Sequence, residues 1–375
     1  MEARMDFLDR LGSYLSSEIL MYLDDPSDLF HVSRVSRAWR HLVIENGLWK
    51  QLCLRMFPQL SRVARVIELN NGSGEEPMEV GCSYQMEWES LERDDRVYAL
   101  LAQYCTSFLD GNCVSEAISA SSTDNYPEES VENTLQPADI VERRASYWSS
   151  KGQRNPAVPE TLIFKLASEL CVISEIHIRP FQAYFQFGLP IYSAKFVRFR
   201  MGHPRSLADV ACDLPGDSLP GSADDKFVWT YSSQEFPMHQ ECQLQTFKLP
   251  EPVLCVGGIL QIELLGRVQR QEMDGLFYIC ISHVQVVGRS LSPAFGVEIL
   301  EPSGKFVLKN DLKHKFHTHP SLPKEEPGEI YADHLQRRLM DLERIVNLLQ
   351  GNVVEDLDEY EFGEENNEAL EADHL

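Results

Sequence analysis

The sequence predicts a multidomain α + β protein. A helical N-terminal module precedes an antiparallel β-sandwich of the jelly-roll type, followed by a C-terminal helix and an acidic disordered tail. Three observations support this prediction. Apolar residues recur at helical spacing over 1–57, strand-like runs follow one another from about residue 115 without helical patterns between them, and 351–375 hold ten acidic side chains and no Lys or Arg.

The composition limits the class of protein. A chain of 375 residues suggests two domains plus linkers, and its 43% apolar content suffices for a sizeable core. The net charge of −24 disfavours a nucleic-acid binder, which usually carries a basic face. Because no apolar run reaches the roughly 18 residues of a membrane span and the N-terminus is charged, we expect a cytoplasmic or nuclear protein without a membrane segment.

The nine cysteines form no C-x-x-C pair and are odd in number. Cys171, Cys255 and Cys280 lie within apolar, strand-like runs, where a free cysteine behaves as a small core residue. We therefore expect reduced, buried thiols rather than a disulfide framework.

The first 57 residues contain two start signals for short helices. Ser16 or Ser17 can cap a first helix, and Asp25 followed by Pro26 can start a second. A module of about 40 residues cannot enclose all of its large apolar side chains, so some must stay outside and mark a binding surface. The module is therefore either a docking unit that completes its core with a partner or a small helical lobe of the main domain.

Residues 58–114 are predicted to form a linker and a spacer helix. The composition of 61–83 is that of a linker, whereas 84–109 place apolar residues at three-, four- and seven-residue steps, which is typical of a helix with one buried stripe.

The sandwich is predicted to occupy 115–310. Its strands include TLIFKLASELCVISEIHIRPF, AKFVRFRMG, ILQIELLGRV and LFYICISHVQVVG, and an appended strand pair, AFGVEIL and GKFVLK, closes the domain.

An amphipathic helix is predicted over 329–350. Its apolar seam consists of Leu335, Leu339, Leu342, Val346 and Leu349. The seam spans only about two heptads, so the helix either associates with a second copy or docks on the sandwich.

The N-terminal module resembles the F-box family. The matching residues are Leu15, Glu18, Ile19, Leu20, Leu23, Asp28, Leu29, Val35, Ser36, Trp39, Leu48 and Trp49, and Ser16 stands where the family usually has Pro. The resemblance implies binding to a Skp1-type adaptor and, through it, to a cullin. By that resemblance the adaptor-facing residues are Leu15, Ile19, Leu20, Leu23, Leu29, Val32, Val35, Trp39, Leu42 and Trp49.

The stretches ISASSTDNYPEESVENTL and ASYWSSKGQ resemble the opening of a discoidin or galactose-binding-like jelly roll. Across both domains the chain is similar to a plant F-box family that carries such a sandwich. Function on this fold lies in the loops at one end. The candidate target-binding residues are Arg143, Arg144, Tyr147, Trp148, Ser149, Lys151, Phe181, Tyr184, Phe185, Gln186, Phe187 and Tyr192. The alternative is that Trp148 and most of these rings belong to the sandwich core.

Signals for chemistry are weak. His314, His317 and His319 lack a spaced fourth ligand for zinc, and Glu132 with Asn133 supplies only two oxygen ligands for calcium. The sequence has no phosphate loop, G-x-S-x-G elbow or H-E-x-x-H motif. We therefore expect no catalytic residues, metal site or cofactor.

These observations predict a non-catalytic substrate-recognition subunit of an SCF (Skp1–cullin–F-box) ubiquitin ligase. The box docks the adaptor, and the sandwich docks an unknown target protein. Two alternatives stay open: a cytosolic lectin-like sandwich that recognises glycans, and an F-box scaffold that oligomerises through 329–350 without a degradation substrate.

Overall fold

The computed structural model describes residues 7–69, 83–106, 110–141, 144–205, 223–300 and 303–311. The predicted helix at 329–350, the acidic tail, Arg143 and the three clustered histidines lie outside the described residues. Within those ranges, no helix is long and apolar enough to cross a membrane.

Four short helices open the chain. Their bounds are α1 Phe7–Leu20, α2 Pro26–Ser33, α3 Arg37–Glu45 and α4 Leu48–Met56. The start of α2 is confirmed, because the Asp25 carboxylate accepts a hydrogen bond from the Ser27 amide at 2.7 Å and Pro26 occupies the first turn. Ser36 caps α3 in the same way, with its Oγ accepting from the Trp39 amide at 3.3 Å.

The predicted cap at Ser16 or Ser17 is wrong. Both residues lie inside α1, which is kinked at Gly12 (φ 72°) and continues to Leu20. The Ser17 hydroxyl donates to the carbonyl oxygens of Ser13 (3.0 Å) and Tyr14 (2.9 Å). A serine that bonds back to the preceding turn belongs to a helix interior, so the helix begins before the position where the family pattern carries Pro.

The region predicted as linker contains a strand. After a 3₁₀ turn at Pro58–Arg62, the chain forms β1 (Val63–Leu69), and the long helix α5 (Ser83–Thr106) follows. The helix agrees with the prediction of a buried stripe, since Val97, Tyr98, Leu101 and Cys105 are buried. The strand was not foreseen.

The sandwich is built from short and long antiparallel strands. The strands are β2 Gly111–Asn112, β3 Val114–Ala120, β4 Ile140–Val141, β5 Arg144–Ala145, β6 Trp148–Ser149, β7 Glu160–Leu166, β8 Leu170–Gln182, β9 Ile191–Tyr192, β10 Ala194–Pro204, β11 Phe227–Ser232, β12 Phe236–Pro237, β13 Gln245–Val256, β14 Ile259–Arg267 and β15 Cys280–Ser290. Short helical turns occur at Val131–Leu135 and Ala223–Lys226.

Two sheets form the layers of the sandwich. One has the order β11–β10–β14–β7–β3, with β12 on the edge of β10. The other has the order β13–β8–β15–β2, with β6 beside β15 and β9 beside β8. Their facing side chains form one core that includes Trp148, Phe164, Phe199 and Phe247. The predicted antiparallel sandwich is confirmed.

The thiols follow the sequence prediction. Cys171, Cys255 and Cys280 are buried in β8, β13 and β15, and all seven cysteines of the described residues are free.

A third, smaller sheet pairs β1, which follows the N-terminal helices, with the last two strands of the described chain. The predicted strand pair forms β16 (Phe295–Leu300) and β17 (Lys305–Asp311), and β1 adds to β17 in parallel. This sheet, α2 to α5 and the neighbouring ends of β8 and β13 share a second core, which includes Leu42, Tyr98, Val172, Leu254 and Phe306. The helices and the sandwich are therefore joined by a common apolar interior, and α5 is part of that interior rather than a free spacer.

Candidate functional site

The N-terminal helices bury one face and expose another. In α1, Ser16, Ser17 and Leu20 point inward, whereas Leu15 and Ile19, one turn apart, point outward and are 50% and 46% exposed. This division follows from the 3.6-residue period of the helix. The exposed large apolar side chains of the helical region form what we call the helical patch: Tyr14, Leu15, Ile19, Tyr22, Phe30 and Val35.

The predicted adaptor-facing residues divide into three groups. Leu15, Ile19 and Val35 are exposed, and Leu23, Val32 and Trp39 are half-buried. Four others are not on the surface: Leu20, Leu29, Leu42 and Trp49 are between 2% and 6% exposed and pack in the core of this chain. Their assignment to the adaptor surface is corrected, because helices of the same chain already cover them.

The covering element is mainly α5. The Cys53 thiol of α4 donates to the Tyr98 carbonyl oxygen at 3.3 Å, and His41 of α3 stacks on Trp88 with 4.3 Å between ring centroids. Sequence reasoning missed Tyr14, Tyr22 and Phe30 of the helical patch. The signal for Tyr22 was present, since it follows Leu15 and Ile19 at steps of four and three residues.

The second candidate site lies at the opposite end of the sandwich. Strand β8 has 13 residues, begins at Leu170 within the core shared with the helices and ends at Gln182. At a rise of about 3.3 Å per residue the strand spans about 40 Å. The loops 121–130, 183–190 and 268–279 meet at this far end, together with Tyr147.

These loops enclose a cavity of about 240 Å³, which we call the end pocket. Several rings line it. Tyr147 stacks on Phe181 with centroids 3.9 Å apart and planes 7° from parallel, and Phe185 lies 6.5 Å from Tyr147. Tyr192 and Tyr278 line the same cavity edge to face, at 6.2 Å.

Apart from serine and tyrosine hydroxyls, the polar side chains of the end pocket are carboxylates and amides. They belong to Asp124, Asn125, Glu129, Gln186 and Gln271, with Ser149 beside them. The Tyr147 hydroxyl donates to Glu129 Oε1 at 2.6 Å, and the Tyr192 hydroxyl donates to Gln186 Oε1 at 2.6 Å. Burial raises the pKa of the Tyr192 hydroxyl to about 12, and burial together with the nearby Asp274 carboxylate raises the pKa of Asp124. The pocket thus combines aromatic faces with an excess of negative charge.

The predicted target-binding residues are also divided. Trp148 is fully buried, and its Nε1 donates to the Ser122 carbonyl oxygen at 3.0 Å. Its assignment as a binding residue is corrected, because the sandwich core encloses the ring. Arg144 and Lys151 are exposed.

The aromatic part of the prediction falls on the surface beside the end pocket. Tyr184, Phe185 and Phe187 are exposed, and Phe187 is 96% exposed. Phe181 and Tyr192 are buried but line the cavity. The segment 183–189 therefore supplies both a wall of the end pocket and an apolar surface next to it.

The weak calcium signal has a structural explanation. The Asn133 side-chain amide donates to the carbonyl oxygens of Glu128 (2.7 Å) and Tyr147 (3.0 Å), so it braces the loop. Within the part of the chain that the structure describes, no group of three His, Cys, Asp or Glu is placed to hold a metal ion.

Solved structures similar to this chain include a carbohydrate-binding module and an allantoicase. The family 32 carbohydrate-binding module of Clostridium perfringens NanJ, solved with galactose, is 13% identical, with a TM-score of 0.30; the match covers 48% of this chain and 99% of that chain. Allantoicase of Saccharomyces cerevisiae is 14% identical, with a TM-score of 0.34, and the match covers 54% of this chain and 55% of that chain.

The helical region matches a known family model, and the chain as a whole has a relative of similar length. The F-box-like family model matches residues 14–55, which contain the second half of α1, all of α2 and α3, and all but the last residue of α4. F-box protein At4g00755 of Arabidopsis thaliana is 47% identical over 361 residues, covering 94% of this chain and 95% of the relative. An identity this high, across both the helices and the sandwich, shows that the chain belongs to the F-box proteins.

Proposed function

We propose that this protein is the substrate-recognition subunit of an SCF ubiquitin ligase, which docks a Skp1-type adaptor through the helical patch and a target protein through the far end of the sandwich. The observation that carries the proposal is the division of the F-box helices. Their inner face is filled by α5 and the third sheet, while the helical patch stays open to solvent.

An exposed patch of this kind is costly for a free protein. Large apolar side chains that remain in water, rimmed by polar residues, mark an interaction surface. Ile19 is 46% exposed and Val35, in the turn between α2 and α3, is 62% exposed, although α1 and α2 bury Leu20 and Leu29. Full burial of such a side chain contributes roughly 1.5–3 kcal/mol, and about half of that is still to be gained when an adaptor covers each of them.

The shared core gives the receptor a defined geometry. The end pocket and the helical patch lie on parts of the chain connected by β8 and by the core that β8 shares with the helices. A target bound at the end pocket is then held at a set distance from the adaptor, and hence from the conjugating enzyme. The receptor performs no covalent chemistry in this proposal and contributes proximity.

The target-binding part of the proposal rests on the segment 183–189. Phe187 is almost fully exposed and Tyr184 and Phe185 are partly exposed. Exposed aromatic side chains beside a concave pocket are the residues that most often dominate a protein interface.

The adaptor test uses the purified full-length chain and a purified Skp1-type adaptor. The double variant Ile19→Glu with Val35→Glu should weaken complex formation at least about 100-fold, because two apolar contacts are replaced by buried charges. Phe196→Glu is the matched control, since Phe196 is 43% exposed but lies on β10. Calorimetry measures the affinities, and circular dichroism verifies that both variants are folded.

The results separate docking from folding. Wild type and Phe196→Glu are expected to bind the adaptor equally well. If wild type does not bind, or if the double variant binds as well as the control does, the proposed adaptor surface is wrong.

A further inference from the structure

We propose that the end pocket binds the side chain of an arginine on the target protein, so that recognition depends on a basic residue that contacts both a carboxylate and an aromatic ring. The biological role rests on the proposed function, whereas the binding itself can be tested independently. Three features of the pocket support the choice of ligand.

The first feature is the charge of the lining. Asp124 and Glu129 line the cavity, and no Lys, Arg or His is among the described residues that line it. Glu129 Oε1 accepts from Tyr147, but Glu129 Oε2 is buried and has no hydrogen-bond partner. A buried carboxylate oxygen without a partner is costly, and its negative charge lies beside the cavity, where it favours a cationic ligand.

The second feature is the direction of the tyrosine hydroxyls. Tyr147, Tyr192 and Tyr278 all donate to groups of their own chain, the last to Asp274 at 2.6 Å. They therefore offer a ligand only the lone pairs of their oxygens. A guanidinium group carries five donors and no acceptor, which complements such a lining. A sugar hydroxyl both donates and accepts, and gains less from a wall of acceptors.

The third feature is an open aromatic ring. Tyr147 stacks on Phe181, and Phe185 lies beside that stack, 6.5 Å from Tyr147 and 6.2 Å from Phe181, and is 56% exposed. A planar guanidinium stacks on aromatic faces and pairs with carboxylates at the same time, which a lysine ammonium does less well. Arginine is therefore the basic residue that fits both parts of the pocket.

The surrounding charges agree with this assignment. Burial and the nearby Asp274 carboxylate both raise the pKa of Asp124, and a bound cation would offset both effects. Lys151 opposes the shift at Asp124, and Arg270 lies close to Asp274. Neither Lys151 nor Arg270 lines the cavity, so the site is left for a cation from outside.

The test measures binding of two small probes to the full-length protein by saturation-transfer NMR titration. The probes are N-acetyl-arginine methylamide and N-acetyl-citrulline methylamide, which have nearly the same shape but differ in charge. Wild type is expected to bind the arginine probe at millimolar concentration and to bind the citrulline probe at least about tenfold more weakly.

The matched variants locate the site. Glu129→Gln keeps an oxygen that can accept from Tyr147 but removes the charge, and it should weaken arginine binding about tenfold. Glu132→Gln removes an exposed carboxylate three residues away that does not line the cavity, and binding should be unchanged.

Several results would overturn the proposal. They are equal binding of the two probes, equal effects of the two variants, and no saturation transfer to the arginine probe. A titration with free galactose is included, because galactose binding that is lost in Glu129→Gln while the arginine probe stays unbound would assign the pocket to sugars instead.

Adaptor binding is measured on the same preparations, which keeps the two proposals distinguishable. Glu129→Gln should bind the Skp1-type adaptor as wild type does, because the end pocket lies at the end of β8 away from the core shared with the helices. Arginine binding without adaptor binding would reject the ligase role and keep the pocket assignment. Adaptor binding without arginine binding would reject the pocket assignment and leave the ligase role standing.

Discussion

Arg267 and Glu160 form an ion pair inside the sandwich, with side-chain exposures of 0% and 3%. The Arg267 guanidinium also donates to Ser150 Oγ at 2.8 Å and to the carbonyl oxygens of Lys151 and Phe277 at 2.9 and 3.0 Å. These loop residues are direct neighbours of Ser149 and Tyr278, which line the end pocket. The buried pair therefore fastens two walls of the pocket to the sandwich.

Removal of the arginine should be strongly destabilising. Arg267→Met leaves the Glu160 carboxylate buried without its counter-ion, and we expect a loss of about 3–5 kcal/mol in the free energy of unfolding. Denaturant unfolding followed by tryptophan fluorescence measures the loss. The double variant Arg267→Met with Glu160→Leu should recover much of it, because no unpaired charge then remains in the core.

A surface pair provides the control for this prediction. Lys165 and Glu116 lie 3.9 Å apart, and their side chains are 52% and 65% exposed. Lys165→Met should cost at most about 1 kcal/mol. If Arg267→Met were equally mild, the network around Arg267 would not hold the loops in the way described.

The helix caps lead to a second prediction. Ser36 Oγ accepts from the Trp39 amide, which explains the serine of the family pattern as the cap of α3. Ser36→Ala should lower the free energy of unfolding by about 1 kcal/mol, and Ser36→Asp should preserve it. Ser27→Ala in the first turn of α2 is the comparison, because the Asp25 side chain, and not Ser27, caps that helix. A cost at Ser27 equal to that at Ser36 would contradict the assignment of the caps.

Local patterns predicted the elements that depend on local physics. The Asp25–Pro26 start of α2, the buried stripe of α5 and the strands β7, β8, β10, β14 and β15 follow from capping groups and hydrophobic period. The sequence marked the Gly- and Pro-bounded stretch RPFQAYFQFGLPIY as a candidate binding segment or as core, and the structure exposes Tyr184, Phe185 and Phe187 but buries Phe181 and Tyr192.

The failures concern partners that are distant in sequence. The apolar stripe of a helix does not reveal which element packs against it. Leu42 and Trp49 were therefore assigned to an adaptor, although they share a core with Val97 and Leu101 of α5. In the same way, β1 pairs with β17, more than 200 residues later, and no local signal marks such a parallel pairing. Sequence reasoning could identify Trp148 as important but could not decide between core and surface.

The shared core gives a third prediction. The N-terminal helices complete their apolar interior with α5, so a fragment of residues 1–57 alone should expose that face and fail to fold, whereas residues 1–311 should fold. Circular dichroism and near-ultraviolet spectra of the two fragments measure this difference. A cooperative unfolding transition of fragment 1–57 alone would show that α5 is dispensable.

A point substitution tests the same relationship without a truncation. Leu101 is fully buried in α5 against the F-box helices, and Leu101→Ala should cost about 2–5 kcal/mol. Leu100→Ala, at a half-buried neighbouring position, should cost clearly less. Both variants keep the helical patch, so at temperatures where they stay folded they should bind the adaptor as wild type does.

The pH dependence of stability should carry a contribution from Asp95 of α5. Its Oδ1 is buried and has no hydrogen-bond partner among the described residues. Burial raises the pKa of the carboxyl group from 3.8 to about 6, although the charges of Arg40 and Arg96 oppose this. The folded state therefore binds a proton more tightly than the unfolded state between these two values. The contribution of Asp95 to the free energy of unfolding is therefore greatest below pH 3.8. It decreases as the pH rises towards 6 and does not change above that.

Asp95→Asn should remove the cost of keeping the buried Asp95 carboxylate ionised in the folded protein at neutral pH. We expect the variant to gain on the order of 1–2 kcal/mol over wild type at pH 7, after allowance for the partial exposure of the side chain, and to lose the advantage at pH 4. Denaturant unfolding at several pH values measures the difference between the two proteins, which cancels the titration of the other carboxylates. Glu132→Gln serves as the exposed control and should run parallel to wild type. A difference between Asp95→Asn and wild type that stays constant from pH 4 to pH 7 would mean that Asp95 ionises equally easily in the folded and unfolded chains.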